Sequence, residues 1–403
     1  MRASGVIVEY NPFHNGHLFH LTEARRQSGS DCMIAVMSGS FLQRGEPAIM
    51  DKWHRAEAAI QGGADLVLEL PYVYAVEHSD YFSQGAVRIL SEMGVQSICF
   101  GSEHGEIDAF ITAHDFLQEH QSMYETHLRS YLNEGVAFPE ASRLAYEKVN
   151  LPEDSIDLSQ PNNILGLSYV KQMLTYDRGV QPMTIQRTNS HYHDETINGS
   201  IASATSIRKE MKESGMTQGV KDALPEETIN QLMLYKEKNG LWHEWEAYFD
   251  LLHYKISTMT CEDLRAIHGV DEGLEHRLKR TIKKARTFSE FMNALKTKRY
   301  TWTRLQRTLV HILIGTKKVL AQTLLHEKQP PYARVLGMNE TGRRYLRERK
   351  KAMSIPLITQ PQQLDHPMLE LEERATASYY SVLEPDIRIE RLEREFKAPV
   401  ILP

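Results

Sequence analysis

Three histidines with a spacing of three residues stand near the start of the chain. They are His14, His17 and His20, in the segment EYNPFHNGHLFHLTEARR at residues 9–26. Imidazoles could bind a metal ion, but the HxxH pattern alone supplies no carboxylate or cysteine to complete a zinc site. A β-branched run precedes the segment and a helical pattern follows it, so the pattern predicts a turn from a strand into a helix. Backbone N–H groups and the positive end of the helix dipole favour phosphate at such a turn.

Phosphate binding fits the residue types of this turn better than metal binding does. Gly16 leaves room for a nucleotide to approach the backbone. His14 and His17 could donate hydrogen bonds to phosphate oxygens as negative charge develops during an in-line transfer. The turn therefore predicts a nucleotide site, and a metal site is the alternative.

A second segment with phosphate-binding character is SIASATSIRKEM, residues 200–211. Ser203, Thr205 and Ser206 offer an N-cap and hydroxyl groups, and Arg208 offers a positive charge to departing phosphates. A plain capped helix is the alternative for this segment taken alone.

The segment SGSFLQRGEPAIMDKWHR, residues 38–55, follows the second predicted strand. Gln43, Arg44, Asp51 and Lys52 are polar groups at the expected ligand edge of the sheet. We expect a site for a small acid, an activated intermediate or a target base here, and Lys52 is assigned to the catalytic set. A loop rim with ordinary surface charges is the alternative.

These residues need a scaffold, and the first two hundred residues predict one. Apolar, β-rich runs alternate with helical patterns, which indicates βαβ crossovers and a doubly wound, Rossmann-like parallel sheet of the α/β class. Ligands of such sheets bind beyond the carboxyl ends of the strands. The predicted strands cover residues 5–10, 31–39, 64–71, 95–103 and 183–189.

From about residue 215 the pattern becomes helical and locally basic. We expect a catalytic domain at residues 1–215 and a mainly helical domain at 216–403. Between residues 277 and 318 thirteen Lys and Arg residues stand against a single acidic residue, although the whole chain has a net charge of −6. This clustering predicts a nucleic-acid surface, with a solvated helix face as the alternative. The residues assigned to that surface are Arg277, Lys279, Arg280, Lys283 and Lys284.

The composition is that of a globular protein, with 41% hydrophobic and 25% charged residues in 403. No signal-peptide pattern and no run of about 18 apolar residues occurs, so we expect a cytoplasmic protein without membrane spans. Cys32, Cys99 and Cys261 are far apart and are expected to be free thiols.

The two phosphate-binding segments resemble the signatures of a known superfamily. HNGH at 14–17 is similar to the HxGH motif of nucleotidyltransferases related to class I aminoacyl-tRNA synthetases, and SATSIR at 203–208 is similar to their second motif. Further segments resemble the bacterial tRNA(Met) cytidine acetate ligase family, from residue 5 to about 350. They are MSGSFLQRGEPAIMDKWHRAEAAIQGGADLVLELP, FGSE, QPNNILGLSYVKQ, QRTNSHYHD and PYARVLGMNETGRRYL.

That resemblance implies acetylation of N4 of the wobble cytidine (C34) of elongator tRNA(Met). Acetate would be activated with ATP as acetyl-adenylate, with pyrophosphate and then AMP released, and Mg²⁺ would accompany ATP. It implies catalytic roles for His14, His17 and Arg208. The implied ATP-binding residues are Ile7, Val8, Glu9, Tyr10, Asn11, Pro12, Phe13, His14, Asn15, Gly16, His17, His20, Gly101, Asn162, Asn163, Arg187, Thr188, Ser203 and Thr205.

Two other functions remain open from the sequence. One is a cofactor adenylyltransferase of the same superfamily, in which the basic helical region only mediates self-association. The other is a non-catalytic RNA-binding protein that retains a nucleotide-binding fold.

Overall fold

A mixed sheet forms the centre of the chain. The computed structural model describes residues 1–136, 138–150, 155–176, 178–187, 202–271 and 273–403. Within them, eight strands form one sheet: β1 (Ala3–Val8), β2 (Cys32–Ser38), β3 (Leu66–Leu70), β4 (Ser97–Ser102), β5 (Gln181–Gln186), β6 (Ala333–Met338), β7 (Leu357–Ile358) and β8 (Val400–Ile401).

The first five strands are parallel and confirm the predicted doubly wound α/β fold. Their order in the sheet is β5-β4-β1-β2-β3, so the chain moves outward from β1 in one direction and then crosses to the other side. The crossing leaves a crevice beyond the carboxyl ends of β1 and β4, where ligands of such sheets bind. The predicted strands agree with the observed ones to within a few residues.

Helices cover both faces of the sheet and continue into a larger helical region. The helices up to β5 are α1 (Asn15–Ser28), α2 (Lys52–Gln61), α3 (Tyr72–Ala75), α4 (Ser79–Met93), α5 (Ile107–Glu119), α6 (Gln121–Asn133), α7 (Phe138–Val149) and α8 (Pro161–Tyr176). Those between β5 and β6 are α9 (Ala204–Ser214), α10 (Gln218–Asp222), α11 (Glu226–Asn239), α12 (Phe249–Thr258), α13 (Cys261–Arg265), α14 (Leu274–Ile282), α15 (Phe288–Leu295), α16 (Trp302–Ile314) and α17 (Lys318–Leu325). The last three are α18 (Glu340–Arg349), α19 (Pro367–Tyr380) and α20 (Pro385–Arg394), and 3₁₀ turns lie at Trp245–Tyr248 and Pro361–Gln363.

Alternate side chains of each central strand enter two different cores. In β2, Ile34 and Val36 pack into the larger core, while Met33, Ala35 and Met37 pack on the opposite face. This follows from the two-residue period of a strand whose faces are both covered. The larger core continues without a break into the helical region, including Leu252 and other residues of α12 to α17.

The stretch after residue 215 is mainly helical, and it also contributes strands to the sheet. After the helical region the chain returns to the sheet, where β6 pairs antiparallel with β3, and β7 and β8 each pair parallel with β6. The stretch 216–403, expected to be mainly helical, therefore also contains three strands of the sheet. Short strands within a helix-rich stretch give too weak a periodic signal to be recognised before the sheet partner is known.

Lys52, expected in the catalytic set, lies in the interior at the start of α2. Lys52 is 1% exposed, and its Nζ lies 2.6 Å from Glu69 Oε1 and 2.8 Å from Glu395 Oε2. Arg334 donates to the same two carboxylates, at 2.9 Å each. Glu372 completes the group, with its Oε1 3.7 Å from Lys52 Nζ. Lys52 thus joins the C-terminal segment to the sheet.

Burial and the neighbouring Glu69 raise the pKa of Glu372 to about 8. Lys52 and Arg334 outweigh the effect of burial on Glu69 and lower the pKa of that carboxyl. At neutral pH the group therefore contains two cations, two carboxylates and one mostly protonated carboxyl, and its charges balance.

We predict that Glu372→Gln changes the free energy of unfolding at pH 7 by less than about 1 kcal/mol, whereas Glu69→Gln lowers it by about 3–5 kcal/mol because buried cations lose their partner. The folded chain keeps the Glu372 proton between pH 4.5 and about 8 while the unfolded chain releases it, so this stabilisation declines as pH rises through that window. The free energy of unfolding, measured with urea at pH 6 and pH 8.5, should fall less between these two pH values for Glu372→Gln than for the parent protein. Equal costs for the two substitutions at pH 7 would contradict this charge assignment.

Two expectations from composition can also be compared with the structure. Among the described residues, no helix combines the length and apolarity needed to cross a bilayer. All three cysteines are free; Cys32 and Cys99 are buried and Cys261 is partly buried.

Candidate functional site: a nucleotide cavity at the carboxyl edge of the sheet

The turn that joins β1 to α1 is held by a fully buried arginine. Arg55 of α2 donates from Nη1 to the carbonyl oxygens of Glu9 (2.7 Å) and Ser38 (2.9 Å), and from Nε to that of Met50 (3.1 Å). Its Nη2 donates to the carbonyl of Gly39. One guanidinium thus satisfies carbonyl groups at the ends of β1 and β2 that no longer have sheet partners. The backbone at the crevice is fixed in consequence.

The two histidines of the HNGH motif lie at the start of α1. The backbone N–H of His14 donates to Nδ1 of His17 at 3.3 Å, and the two rings stack with their centroids 3.7 Å apart. Tyr10 contacts the His17 ring edge-on at 4.9 Å. An imidazole nitrogen binds a metal ion through a lone pair that lies in the plane of the ring. In two stacked rings these lone pairs run side by side, so they do not converge on one ion. This geometry favours the phosphate hypothesis over the metal alternative.

The imidazoles at this turn are neutral. Burial, followed by the charges of Arg187 and Arg208, lowers the pKa of His14 to about 3. Burial also lowers the pKa of His17 well below its usual value and that of His20 to about 4. Nδ1 of His14 and Nε2 of His20 are buried and have no hydrogen-bond partner within the described residues. The neutral rings of His14 and His20 can therefore bind a ligand through these nitrogens without first giving up an internal hydrogen bond.

These residues form one wall of a cavity of about 1090 Å³ at the carboxyl edge of the sheet. A cavity of this size can enclose a nucleotide together with part of a second substrate. The assigned residues that line it are Ile7, Val8, Glu9, Tyr10, Asn11, His14, Gly16, His17, His20, Gly101, Asn162, Arg187, Ser203, Thr205 and Arg208.

The second predicted motif lines the same cavity, next to the first. Ser203 caps α9 by accepting a hydrogen bond from the backbone N–H of Ser206 at 3.0 Å. Arg208, one turn later, donates to the carbonyl of Asn11 (2.9 Å) and to Glu46 Oε2 (2.9 Å). The guanidinium is therefore held between the two motifs, beside the histidines whose pKa it lowers.

The adjacent residues Asn162 and Asn163 have different positions. Asn163 is 1% exposed and does not line the cavity; its Oδ1 accepts hydrogen bonds from the backbone N–H groups of Glu103 (3.1 Å) and His104 (3.2 Å). Asn162 lines the cavity and donates to Glu103 Oε1 at 2.7 Å. Asn163 therefore organises the loop after β4, and Asn162 is the one placed to meet a ligand.

Other assigned residues also lie outside the cavity wall. The side chain of Asn15 donates to the carbonyl of Asp222 at 2.9 Å, which ties the start of α1 to α10. Pro12 and Phe13 are buried behind the turn, and the Asn11–Pro12 peptide is cis. Thr188 lies outside the described residues.

The segment at 38–55 divides between the cavity and the interior. Gln43 and Arg44 line the cavity, as the ligand site expected for this segment requires. Asp51 is 1% exposed and caps α2, accepting a hydrogen bond from the backbone N–H of His54 at 2.9 Å. Asp51 and Lys52 are thus parts of the interior.

Sequence reasoning missed the far wall of the cavity, which the helical region supplies. The cavity-lining residues there are mostly basic or polar: His268, Arg299, Thr301, Arg304, Arg307, Thr308, His311 and Lys318. Glu77, from the loop after α3, faces them. Arg299, Arg304 and Arg307 belong to the basic window noted in the sequence, but their position on a cavity depends on how α16 packs against α12, α15 and α19. No local pattern signals that.

The residues predicted to contact nucleic acid fall into two groups. Nζ of Lys279 donates to the carbonyls of Ile256, Ser257 and Met259, and Arg277 donates from Nε to the carbonyl of Leu295. Both side chains therefore cap neighbouring helices, a use of cations at helix C-termini. The other three, Arg280, Lys283 and Lys284, are exposed on and just after α14.

The fold and this cavity define the class of the protein. The chain belongs to the HIGH nucleotidyl transferase family, whose model matches residues 1–395. Within that class it is a member of the tRNA(Met) cytidine acetate ligase family. It is 48% identical to the tRNA(Met) cytidine acetate ligase of Oceanobacillus iheyensis over 403 residues, with 100% of both chains covered. It is 45% identical to that of Bacillus subtilis, covering 97% of this chain and 94% of that protein.

Solved structures show the same likeness in three dimensions. The crystal structure of Thermotoga maritima TmcAL in its apo form matches with a TM-score of 0.90 and 32% identity over 100% of both chains. A second structure of that protein, bound with alpha-thio ATP, matches with the same TM-score and identity.

The two asparagines provide a test of the site's construction. We predict that Asn163→Ala lowers the free energy of unfolding by about 2 kcal/mol, because two backbone N–H groups lose their acceptor. Asn162→Ala should cost less than about 1 kcal/mol and should instead weaken ATP binding. Urea unfolding and calorimetric titration with ATP measure the two effects. The assignment of Asn163 to loop structure and of Asn162 to ligand binding is wrong if Asn162→Ala is the more destabilising substitution and leaves ATP affinity unchanged.

Proposed function

We propose that this protein activates acetate with ATP and transfers the acetyl group to N4 of the wobble cytidine of elongator tRNA(Met). In the first step a carboxylate oxygen of acetate attacks the α-phosphorus of ATP, and pyrophosphate leaves. In the second step the exocyclic amine of the cytidine attacks the carbonyl carbon of acetyl-adenylate. The amine loses one proton and AMP leaves with the bridging oxygen.

The observation that carries this proposal is the pair of neutral imidazoles at the start of α1. His14 and His17 lie where the helix dipole and the ring N–H groups can stabilise the charge that develops on the α-phosphate oxygens. Because burial keeps both rings neutral in the free protein, they act as hydrogen-bond donors and do not attract phosphate as fixed cations.

Arg208, Ser203 and Thr205 line the cavity beside this turn, and we propose that the leaving pyrophosphate lies against them. We propose that Arg187 adds a second cation there, and that Mg²⁺ arrives bound to the ATP phosphates. The nearby carboxylates are engaged in the described structure: Glu46 pairs with Arg208, and Glu9 accepts a hydrogen bond from the backbone N–H of Gln43 at 2.7 Å.

The acceptor would enter from the helical region. That region supplies the basic far wall of the cavity, and exposed Arg280, Lys283 and Lys284 lie on the same region outside it. Phosphate groups of the tRNA would bind such cations, while the target base reaches the acetyl-adenylate inside the cavity. The names of the relatives support tRNA(Met) and acetate as substrates. A tRNA substrate would place the protein in the cytoplasm.

The first half-reaction can be measured by exchange of labelled pyrophosphate into ATP. We predict exchange that requires acetate and falls by about 100-fold or more in His14→Ala and His17→Ala, because a donor to the developing charge is lost. His253→Ala removes an exposed histidine of α12 and serves as the matched control. Thermal melting establishes that each variant is folded.

The same assay separates the other two functions. Exchange that depends on a phosphorylated cofactor precursor, and not on acetate, would show a cofactor adenylyltransferase. A non-catalytic RNA-binding protein would show no exchange and would bind tRNA equally well in both histidine variants. Labelled acetate recovered as N4-acetylcytidine after digestion of bulk tRNA would identify donor, acceptor and product together.

We further predict that charge reversal at Arg280, Lys283 and Lys284 weakens tRNA binding and reduces its salt dependence, while acetate-dependent exchange is retained. The matched control reverses Lys350 and Lys351, exposed basic residues at the end of α18. Filter binding of tRNA at several salt concentrations measures the effect. Equal loss of exchange and tRNA binding would show that these residues support folding and not docking.

A further inference from the structure

A cluster of two histidines and one glutamate lies on the cavity wall away from the HNGH motif. His268 Nε2 lies 2.5 Å from Glu77 Oε1, and His311 Nε2 lies 3.9 Å from the same oxygen. The three ligand atoms all lie within 4.8 Å of one another, and no other His, Cys, Asp or Glu residues in the described parts of the chain form such a group. All three residues line the cavity.

The cluster is oriented by contacts behind it. His311 Nδ1 lies 2.6 Å from the hydroxyl of Tyr72, which in turn lies 3.0 Å from the hydroxyl of Thr316. The backbone N–H of His268 donates to the Thr316 carbonyl at 3.0 Å. Metal-binding histidines in proteins are oriented in the same way, through a partner on the second ring nitrogen.

Glu77 is fixed from its own side. The side-chain amide of Gln43 donates to the Glu77 backbone carbonyl at 3.0 Å, and the backbone N–H of His78 donates to Glu77 Oε2 at 3.3 Å. These contacts leave Oε1 turned toward the two imidazoles.

We propose that Glu77, His268 and His311 bind a divalent first-row transition-metal ion of the Zn²⁺ or Co²⁺ type. Ligand bonds of about 2.1 Å in a tetrahedral site separate the ligand atoms by roughly 3.4 Å. The present separations of 2.5 and 3.9 Å bracket that value. His268, whose side chain is 18% exposed, has the freedom to move by the remaining fraction of an ångström.

The proton balance of binding is simple. Nε2 of His268 must carry no proton when it binds the ion, so the bound ring carries its proton on Nδ1. Three protein ligands leave at least one coordination position for water or substrate. Two nitrogen ligands select against Mg²⁺, which prefers oxygen. The ion is therefore distinct from any Mg²⁺ carried by ATP, and its binding does not depend on the function proposed above.

The test uses the full-length protein after chelator treatment and desalting, titrated with Co²⁺ in excess Mg²⁺. Calorimetry should show one ion bound per chain, and the visible absorption of bound Co²⁺ should indicate four or five ligands. Glu77→Gln and His268→Ala should each weaken binding by about 100-fold or more, since loss of an outer-shell partner alone costs 10- to 100-fold. His253→Ala, an exposed histidine outside the cavity, should bind Co²⁺ like the parent protein.

A further variant, His17→Ala, separates this site from the histidines of the HNGH motif. Binding lost in His17→Ala and retained in Glu77→Gln would overturn the proposal, as would the absence of saturable binding in the parent protein. That last result would mean that the three residues form an ion pair and hydrogen bonds only. If His268→Ala melts at a lower temperature than the parent protein, the Co²⁺ affinity of Glu77→Gln is the deciding measurement, because glutamine has nearly the same shape as glutamate.

Discussion

The buried guanidinium of Arg55 is the interaction on which the site depends. The carbonyls at the ends of β1 and β2 must leave the sheet so that the chain can turn toward a ligand, and each would be costly to bury without a donor. Arg55 supplies donors to Glu9, Ser38 and Gly39 from one rigid plane, with no contact to the cavity required of it. The turn that carries His14 and His17 is therefore fixed before any substrate arrives, and fixed donors are what stabilisation of a developing charge requires.

The second constraint is that one cavity has to serve two reactions. A carboxylate is a weak acyl donor until it is activated, and a mixed anhydride is readily lost to water, so activation and transfer are best performed in the same enclosed space. The continuous core between the sheet and the helical region provides this enclosure, because α16 carries Arg304 and Arg307 against the crevice beyond β1 and β4. The C-terminal strands and the ion cluster of Lys52 hold α19 and the rest of the C-terminal segment against the sheet. Helix α19 in turn packs on α16.

Much of the fold could be predicted because its signals are local. The β-branched runs and glycine-terminated helices of the first two hundred residues can be recognised from the periodicity alone, and residues of HNGH and SATSIR line one cavity. The features that were missed depend on distant partners. Lys52 stands in a polar segment of the sequence, which suggests a ligand site. Its partners Glu372 and Glu395 come more than three hundred residues later in the chain.

The same reason explains the basic helix and the metal-type cluster. Lys279 and Arg280 are adjacent in sequence, yet one caps α12 and the other is exposed, which depends on the rotation of α14 in its packing. Glu77, His268 and His311 belong to three separate elements and follow no motif spacing. Adjacent Asn162 and Asn163 likewise differ because only one of them faces the cavity.

The central claim is that acetate attacks the α-phosphorus of ATP at the neutral histidine pair, and isotope transfer tests it most directly. The protein would be incubated with ATP, tRNA(Met) and acetate labelled with ¹⁸O in both carboxylate oxygens, and the products analysed by mass spectrometry. An acetyl-adenylate intermediate requires one labelled oxygen in each AMP, since the bridging oxygen stays on phosphorus when the amine attacks the carbonyl carbon. Unlabelled AMP, or label found in pyrophosphate or inorganic phosphate, would contradict the account.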